Sequence, residues 1–377
     1  MAKKKVNLDE STPAKSEAKG KTLIEKYGEG AFISGADFID EKREILSLSP
    51  KIDLGLGGGI PEGSNVILAG PPKCGKTVTS LHLAAKAQKK GRKVFFLNIE
   101  GRLKPRDLKG IRGLDPSKVE IIRSFKNPDG SLRVLTAEEY LDIAERKIKD
   151  YPGCVVIIDS ISQLMTEGEG LGELGQKHRA PVPVLLSQFF KRICNIIPIN
   201  KNIVISMVHI IANTGGGHKT TQRSGGNKIQ YAVDVDLECK WVEKWMVGQV
   251  KDDPESGTQI GQKVHWITGS TAIAPPGIKI LSHIRYGVGI DETYELLDLG
   301  RLLGYITKVA GGWHTFTFLE GTELIEKGET IKVQGEEKAH ALLDSHPEWI
   351  ALLDNLLRES LLTPSTSITG EDENNEG

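Results

Sequence analysis

The chain has 377 residues, 38% of them hydrophobic, which is enough for one large buried core and a smaller satellite. Its 49 Lys and Arg against 50 Asp and Glu leave a formal net charge of −1, so bulk charge selects no partner and any nucleic-acid or membrane contact must come from a local patch. The cysteines Cys74, Cys154, Cys194 and Cys239 follow no C-x-x-C spacing, which argues against a zinc site or a disulfide framework and for a reducing compartment.

The basic start "MAKKKVNLDE" is followed by no apolar h-region, and no run of about 18 apolar residues occurs, so neither a signal peptide nor a membrane span is expected. The expected location is the cytoplasm. Residues 1 to about 20 read as a solvated arm, and with "LIEKYGEGAFIS" they form an N-terminal segment through residue 47. From there the runs "NVILA", "KVFFLNI", "VEIIRS", "CVVIIDS", "NIVISMVHI" and "VDVDLECKWV" alternate with helical patterns. Short apolar runs without strict alternation suit strands covered on both faces, hence an α/β core over 48–288 with a mostly parallel central sheet flanked by helices. "TSLHLAAKAQKKG" stops at Gly91, and "TAEEYLDIAERKIKDYPG" opens on Thr136 with Glu139 three residues on, a capping box. After about residue 289 the texture predicts a small α+β domain to residue 362, and 363–377 is expected to be a disordered acidic tail.

"GPPKCGKT" satisfies G-x-x-x-x-G-K-[ST] between a predicted strand and a predicted helix. Gly70, Pro71, Pro72, Lys73, Cys74, Gly75, Lys76, Thr77 and Val78 then form a phosphate cradle, with backbone amides and a helix N-terminus on the phosphates, Lys76 reaching the outer ones and the Thr77 hydroxyl on Mg²⁺. Asp159, at the tip of "CVVIID", is expected to hold the Mg²⁺ through water. Glu100 ends the strand after the cradle helix, where a carboxylate can align and deprotonate an attacking water, or simply face solvent. His209, at the end of "NIVISMV", is either a structural residue or a sensor of the outer phosphate. Cys74 in the cradle is either a tolerated small residue or a thiol activated by Lys76 and the helix N-terminus.

Two polar stretches could meet nucleic acid. "ANTGGGHKTTQRSGGNK", residues 212–228, carries Lys219, Arg223 and Lys228 among glycines and cannot bury enough surface to offset its ordering entropy alone. Its cations and amides suit a phosphate backbone. "MTEGEGLGELGQKHRAP" is a second such loop, ending in Arg179.

Taken in order, these residues resemble the RecA recombinase family, and more narrowly its phage UvsX-type branch, over about residues 23 to 362. The resemblance lies in "LIEKYGEGAFIS", "IPEGSNVILAGPPKCGKT", "FFLNIEG", "VVIIDS", "LLSQFFKRI", "SGGNKIQYAVDVDLE" and "YGVGIDETYELLDLGRLLGYITKVAGGWHTF". It implies a RecA-like core whose Lys76, Thr77, Asp159 and Glu100 bind and hydrolyse ATP with Mg²⁺, and a docking segment near the N-terminus. It implies DNA contacts from Gly225, Gly226 and Asn227, and Lys191 matches a basic residue of the first DNA loop. His209 stands where cellular RecA proteins have glutamine and UvsX-type proteins have histidine, which favours the phage branch and hence a host cytoplasm.

The implied activity is a DNA-dependent ATPase and recombinase. It would form a helical filament of its own copies on single-stranded DNA and exchange strands with a homologous duplex, with a recombination mediator and a single-strand-binding protein as further expected partners. Two alternatives stay open, an ATP-gated coating filament with little turnover and a hexameric helicase built on the same core. "TGSTAIAPPG" lacks the family's pair of lysines that reach across the subunit interface, and "GRLKPRDLKG" lacks its adenine-stacking aromatic, for which Arg106 could substitute.

Overall fold

Apolar strands with no polar face need cover on both sides, and this chain provides it. The computed structural model describes residues 23–171, 181–212, 221–223, 233–248, 256–269 and 271–362, with backbone alone at 181, 211, 212 and 221–223. The arm before residue 23 and the acidic tail from 363 lie outside the described residues.

The strand carrying the cradle, β1 (Ser64–Gly70), is buried at every position and leads into helix α1 (Lys76–Lys89). There follow β2 (Val94–Asn98), α2 (Pro105–Lys109), β3 (Val119–Ile122), α3 (Ala137–Asp150), β4 (Val155–Asp159), α4 (Pro181–Ile193), β5 (Ile203–Ala212), β6 (Thr221–Arg223) and β7 (Val235–Val247). Strands β7, β1, β5, β4, β2 and β3 lie side by side in that order and run parallel. Alternation within each strand divides its side chains between two cores. Val66 and Leu68, with Phe96 and Ile157, pack under α1 with Leu81 and Ala84. Ile67 and Ala69, with Phe95 and Ile158, meet Tyr140, Leu141 and Ala144 of α3 and Leu186, Phe189 and Phe190 of α4. This is the mostly parallel α/β sheet that the sequence predicts.

The predicted caps are present. Thr136 Oγ1 accepts from Glu139 N at 3.4 Å while a Glu139 oxygen accepts from Thr136 N at 3.0 Å, and Gly91 follows α1 with φ +74°. The stretch Val182–Ile199 has a mean hydropathy of 1.3 and is long and apolar enough to cross a membrane by length and composition alone. Its Leu186, Phe189, Phe190 and Ile193 are taken up by the core.

Beyond β7 the sheet turns antiparallel through β8 (Thr258–Thr268), β9 (Lys279–Arg285) and β10 (Gly289–Ile290). Helix α5 (Glu292–Leu302), capped by Asp291 through its contact with Tyr294 N at 2.9 Å, then opens the C-terminal part. That part has a three-stranded sheet, β11 (Thr307–Val309), β12 (Trp313–Thr315) and β13 (Lys332–Gln334), and helices α6 (Glu336–Asp344) and α7 (Pro347–Leu362). Leu296, Leu297, Phe316, Leu343, Trp349 and Leu353 make its own core. Residues 23–44 belong to a separate unit with a short helix, Gly35–Asp40, and exposed Tyr27, Phe32, Ile33, Phe38 and Ile39.

Glu292 ties the C-terminal part to α1. Its carboxylate is 2.6 Å from His82 Nε2 and 2.5 Å from Lys86 Nζ. Burial alone would raise its pKa, but the His82 hydrogen bond and the Lys86 charge overcome that and hold it at about 2. A carboxylate depressed below its ordinary 4.5 stabilises the fold above that pH and loses its contribution as pH falls toward 2. Glu292→Gln should therefore cost roughly 1–3 kcal/mol in urea unfolding at pH 7, with the gap to the parent shrinking across that acid window.

Candidate nucleotide and metal site

The parallel register brings the strand tips together. Gly70 at the end of β1 is paired with His209 of β5, and Asn98 at the end of β2 with Asp159 of β4. Asp159 O accepts from Ile99 N at 2.9 Å and from Glu100 N at 3.2 Å, so the chain after β2 is laid across the tip of β4. Every polar residue named for the site on these strands therefore emerges along one edge of a dry sheet.

The loop between β1 and α1 has the backbone a phosphate cradle needs. Lys73 takes φ +63° and Gly75 φ +95°, both left-handed, and the former is a strained conformation for a residue with a side chain, of the kind that clusters at ligand sites. At Gly75 a Cβ would stand 2.5 Å from Ile284 Cδ1 and 3.1 Å from Gln262 Nε2. Lys76, only 7% exposed, curls back over the loop and donates to Gly70 O at 3.0 Å and Pro71 O at 2.8 Å. The ammonium thus stands at the loop with neutral carbonyls as partners.

Beside it, Thr77 Oγ1 donates to Asp159 Oδ2 at 2.9 Å. A hydroxyl and a carboxylate oxygen in contact at a helix N-terminus are the hard oxygen donors that Mg²⁺ takes. On the other side of Asp159, His209 Nε2 lies 2.9 Å from Glu100 Oε1, with 15% and 11% of the two side chains exposed. The contact is close enough for charge but not aligned as a hydrogen bond, and Glu100 Oε1 is buried with no donor among the described residues. That orphaned oxygen, the glycine cradle and the Thr77–Asp159 pair all fit a metal-bound triphosphate with a water beside it.

Burial raises the pKa of Asp159 to about 6, with the Glu100 carboxylate adding to the rise while the Thr77 hydroxyl and Lys76 oppose it. His209 moves the other way. Burial lowers its pKa, Lys76 and Arg102 adding to the drop and Glu100 opposing it, so the imidazole is neutral at pH 7.

The residues expected from the sequence divide into three groups. Gly70 through Val78, Glu100, Asp159 and His209 converge on this edge. Arg106, on α2, is exposed, with its Nε 3.8 Å from Asp107. The adjoining chain meets the β9–β10 turn, where Arg112 N donates to Val288 O at 2.8 Å and Tyr286 is exposed. Lys191 is exposed on α4. Arg179, Lys219, Gly225, Gly226, Asn227 and Lys228 lie outside the described residues.

Arg223 is in β6, paired with Ile210 on the stretch of β5 that extends past its neighbours. The stretch read as one polar loop is thus interrupted by a strand, because β5 runs on past His209 and offers unpaired backbone to "TQR". Sequence reasoning also missed Ser162, whose Oγ accepts from His209 N at 2.8 Å, and Gln262 beneath Gly75. Both are polar residues brought in from distant strands and turns, with no local motif to mark them.

Comparisons with known proteins agree with this geometry. The family profile described as "RecA N-terminal domain" matches residues 17–291. A "Protein RecA" of Acidiphilium cryptum is 30% identical over 355 residues, 92% of this chain and 94% of its own length. Those of Paramagnetospirillum magnetotacticum (28% over 340 residues, 89% of each chain) and Zymomonas mobilis (29% over 328 residues, 85% and 83%) are similar.

The raised pKa of Asp159 has a measurable outcome. Because it lies above the unfolded value of 3.8, ionising the group costs stability as pH rises through about 6, a cost that a bound divalent cation offsets. Below that pH protons compete with the metal. Mg²⁺ affinity, read from the Mg²⁺ dependence of nucleotide binding, should be flat above about pH 7 and fall nearly tenfold per unit below 6. Asp159→Asn should abolish that slope and bind metal weakly throughout.

Proposed function

The chain belongs to the RecA family, and from that premise we propose that it is an ATP-dependent DNA recombinase of the phage UvsX type. In this reading its own copies assemble as a helical filament on single-stranded DNA, pair the strand with a homologous duplex and exchange strands, in recombination, repair and recombination-dependent replication. A recombination mediator and a single-strand-binding protein assist, and the work is done in the cytoplasm of the host. The observation that carries the reading is the meeting of Lys76, Thr77, Asp159, Glu100 and His209 on one strand edge. The phage branch rests on His209 in place of the glutamine of cellular RecA proteins.

Bound MgATP supplies a phosphoryl group whose transfer asks for positioning and charge rather than covalent help. Lys76 exchanges the carbonyls of Gly70 and Pro71 for the outer phosphates, a gain because an anion replaces two neutral acceptors. Thr77 and Asp159, in contact at 2.9 Å, would hold the metal, Asp159 through water. Glu100 uses its orphaned Oε1 to orient the attacking water and take its proton. Neutral His209 lies between Glu100 and the β5–β6 hairpin, so a change of charge at the outer phosphate reaches the polar stretch that contacts DNA. That stretch contributes Lys219, Arg223, Gly225, Gly226, Asn227 and Lys228, and the first loop contributes Arg179 and Lys191.

Arg106 stacks its guanidinium on the base. The unit before residue 45, with its exposed Phe32, Phe38 and Ile39, docks on the next protomer. Residues 289–362 form the small C-terminal domain.

ATP turnover should be stimulated by single-stranded DNA and fall at least about a hundredfold in Lys76→Ala and Glu100→Gln. Turnover indifferent to DNA would sink the proposal. Strand exchange should require homology, which separates a recombinase from a coating filament or a helicase. If Lys219, Arg223 and Lys228 contact phosphates, neutralising each should flatten the log–log salt dependence of single-strand binding by about 0.7. An unchanged slope removes that stretch from the DNA site.

A further inference from the structure

The fifth letter of the loop, Cys74, has a partner in another strand. Strand β7 runs parallel to β1 with Glu238 opposite Ala69, so the next step of the ladder sets Cys239 beside Gly70. A Cβ on Gly70 would lie 2.7 Å from Cys74 Sγ and 2.9 Å from Cys239 Cβ. The two cysteine side chains therefore meet in the space that the missing side chain leaves. Both are free thiols, each 1% exposed. The Cys239 thiol donates to Trp241 O at 3.6 Å, and Lys76 Nζ donates to the Cys74 sulfur at 3.7 Å.

The electrostatics divide the pair into a nucleophile and a proton donor. The neighbouring Cys239 thiol lowers the pKa of Cys74 to about 7, Lys76 adding to the drop against burial. The Cys239 thiol is driven up by the same contact and by burial. Cys154, by contrast, is pushed up to about 12 by burial and stays an unreactive thiol.

We propose that Cys74 and Cys239 are a reversible redox pair, which a peroxide links across Gly70 into a disulfide that holds the loop in a form that binds nucleotide poorly. In the first step the Cys74 thiolate attacks one oxygen of hydrogen peroxide. The O–O bond breaks, and the departing hydroxide takes a proton, leaving a sulfenic acid and water. Cys239 sulfur then attacks the Cys74 sulfur, the S–O bond breaks, and the leaving hydroxide carries off the Cys239 proton as a second water. Two thiols give two electrons to one peroxide, and a dithiol reverses the change.

The new bond of about 2.05 Å is far shorter than a contact between thiols. Cys74 lies between the left-handed Lys73 and Gly75, so drawing its sulfur toward β7 must move the amides on either side. That consequence rests on the reading of the loop as a phosphate cradle, whereas formation of the bond does not. With both sulfurs buried, oxidation requires the loop to open, and nucleotide in the cradle should slow it.

The test uses the full-length chain with Cys194→Ser, which removes the exposed thiol. After treatment with hydrogen peroxide, mass spectrometry of a non-reduced digest should show the Cys74 and Cys239 peptides joined. Binding of a fluorescent ATP analogue should weaken at least about tenfold and return with dithiothreitol. Cys239→Ser, or Cys239→Ala if serine disturbs the strand, should bind nucleotide normally and lose the reversible inhibition. Peptides that stay separate, or Cys74 found as sulfinic acid, overturn the pair. Joined peptides with unchanged nucleotide binding overturn the regulatory effect. A reduced protein that binds no nucleotide overturns the function proposed above, while the joined peptides still decide the pair.

Discussion

The pairing of Gly70 with His209 and of Asn98 with Asp159 is the constraint on which the rest of the structure depends. Both faces of the parallel sheet are buried, so polar groups along the strands are disfavoured and the chemistry gathers at their tips. A slip of one residue in β5 would turn its side chains to the opposite core and take His209 out of reach of Glu100. The two packed faces thus specify the site as much as they specify the fold.

Gathering Lys76, Asp159, Glu100 and His209 at a dry edge has an electrostatic cost. Burial, with the Glu100 carboxylate adding to it, pushes Asp159 up to about 6, and burial lowers the pKa of His209. Lys76 is met by two carbonyls and the Cys74 sulfur, and Glu100 keeps one oxygen without an aligned donor among the described residues. Each of these costs falls when a triphosphate, a divalent cation and a water take their places. The unliganded arrangement is destabilised in the ways that the expected ligands relieve, which is how a preorganised site differs from a satisfied core network.

Local features were legible from the sequence because their causes are local. The cradle needs eight consecutive residues, the metal-side acid ends an apolar run, and the cap of α3 needs Thr136 and Glu139 one turn apart. The antiparallel extension through β8, β9 and β10 was not read, since alternating strands of moderate polarity carry no sign of which edge they join. The contact of Cys74 with Cys239 depends on the ladder between β1 and β7, and spacing along the chain could not show it. The strand Thr221–Arg223 was hidden for another reason: its pairing is decided by the extension of β5 past its neighbours and not by its own β propensity.

Helix α1 joins these themes. It begins with Lys76 and Thr77 at the site, and two turns on His82 and Lys86 grip Glu292 at the start of α5. Gly289, with φ +93°, passes so close that a Cβ there would stand 3.1 Å from His82 Nδ1. On the neighbouring segment of the same chain Arg112 Nη1 holds Asp344 Oδ1 at 2.6 Å, a second tie to the C-terminal part. A helix fastened at its first turn to the cradle and at its third to another core cannot shift at one end without breaking or dragging the other. Close packing makes dragging the cheaper course, because an ion pair with its desolvation already spent is costly to open. The C-terminal part is therefore mechanically continuous with the glycine-rich loop before α1 through the ion pairs of His82 and Lys86 with Glu292.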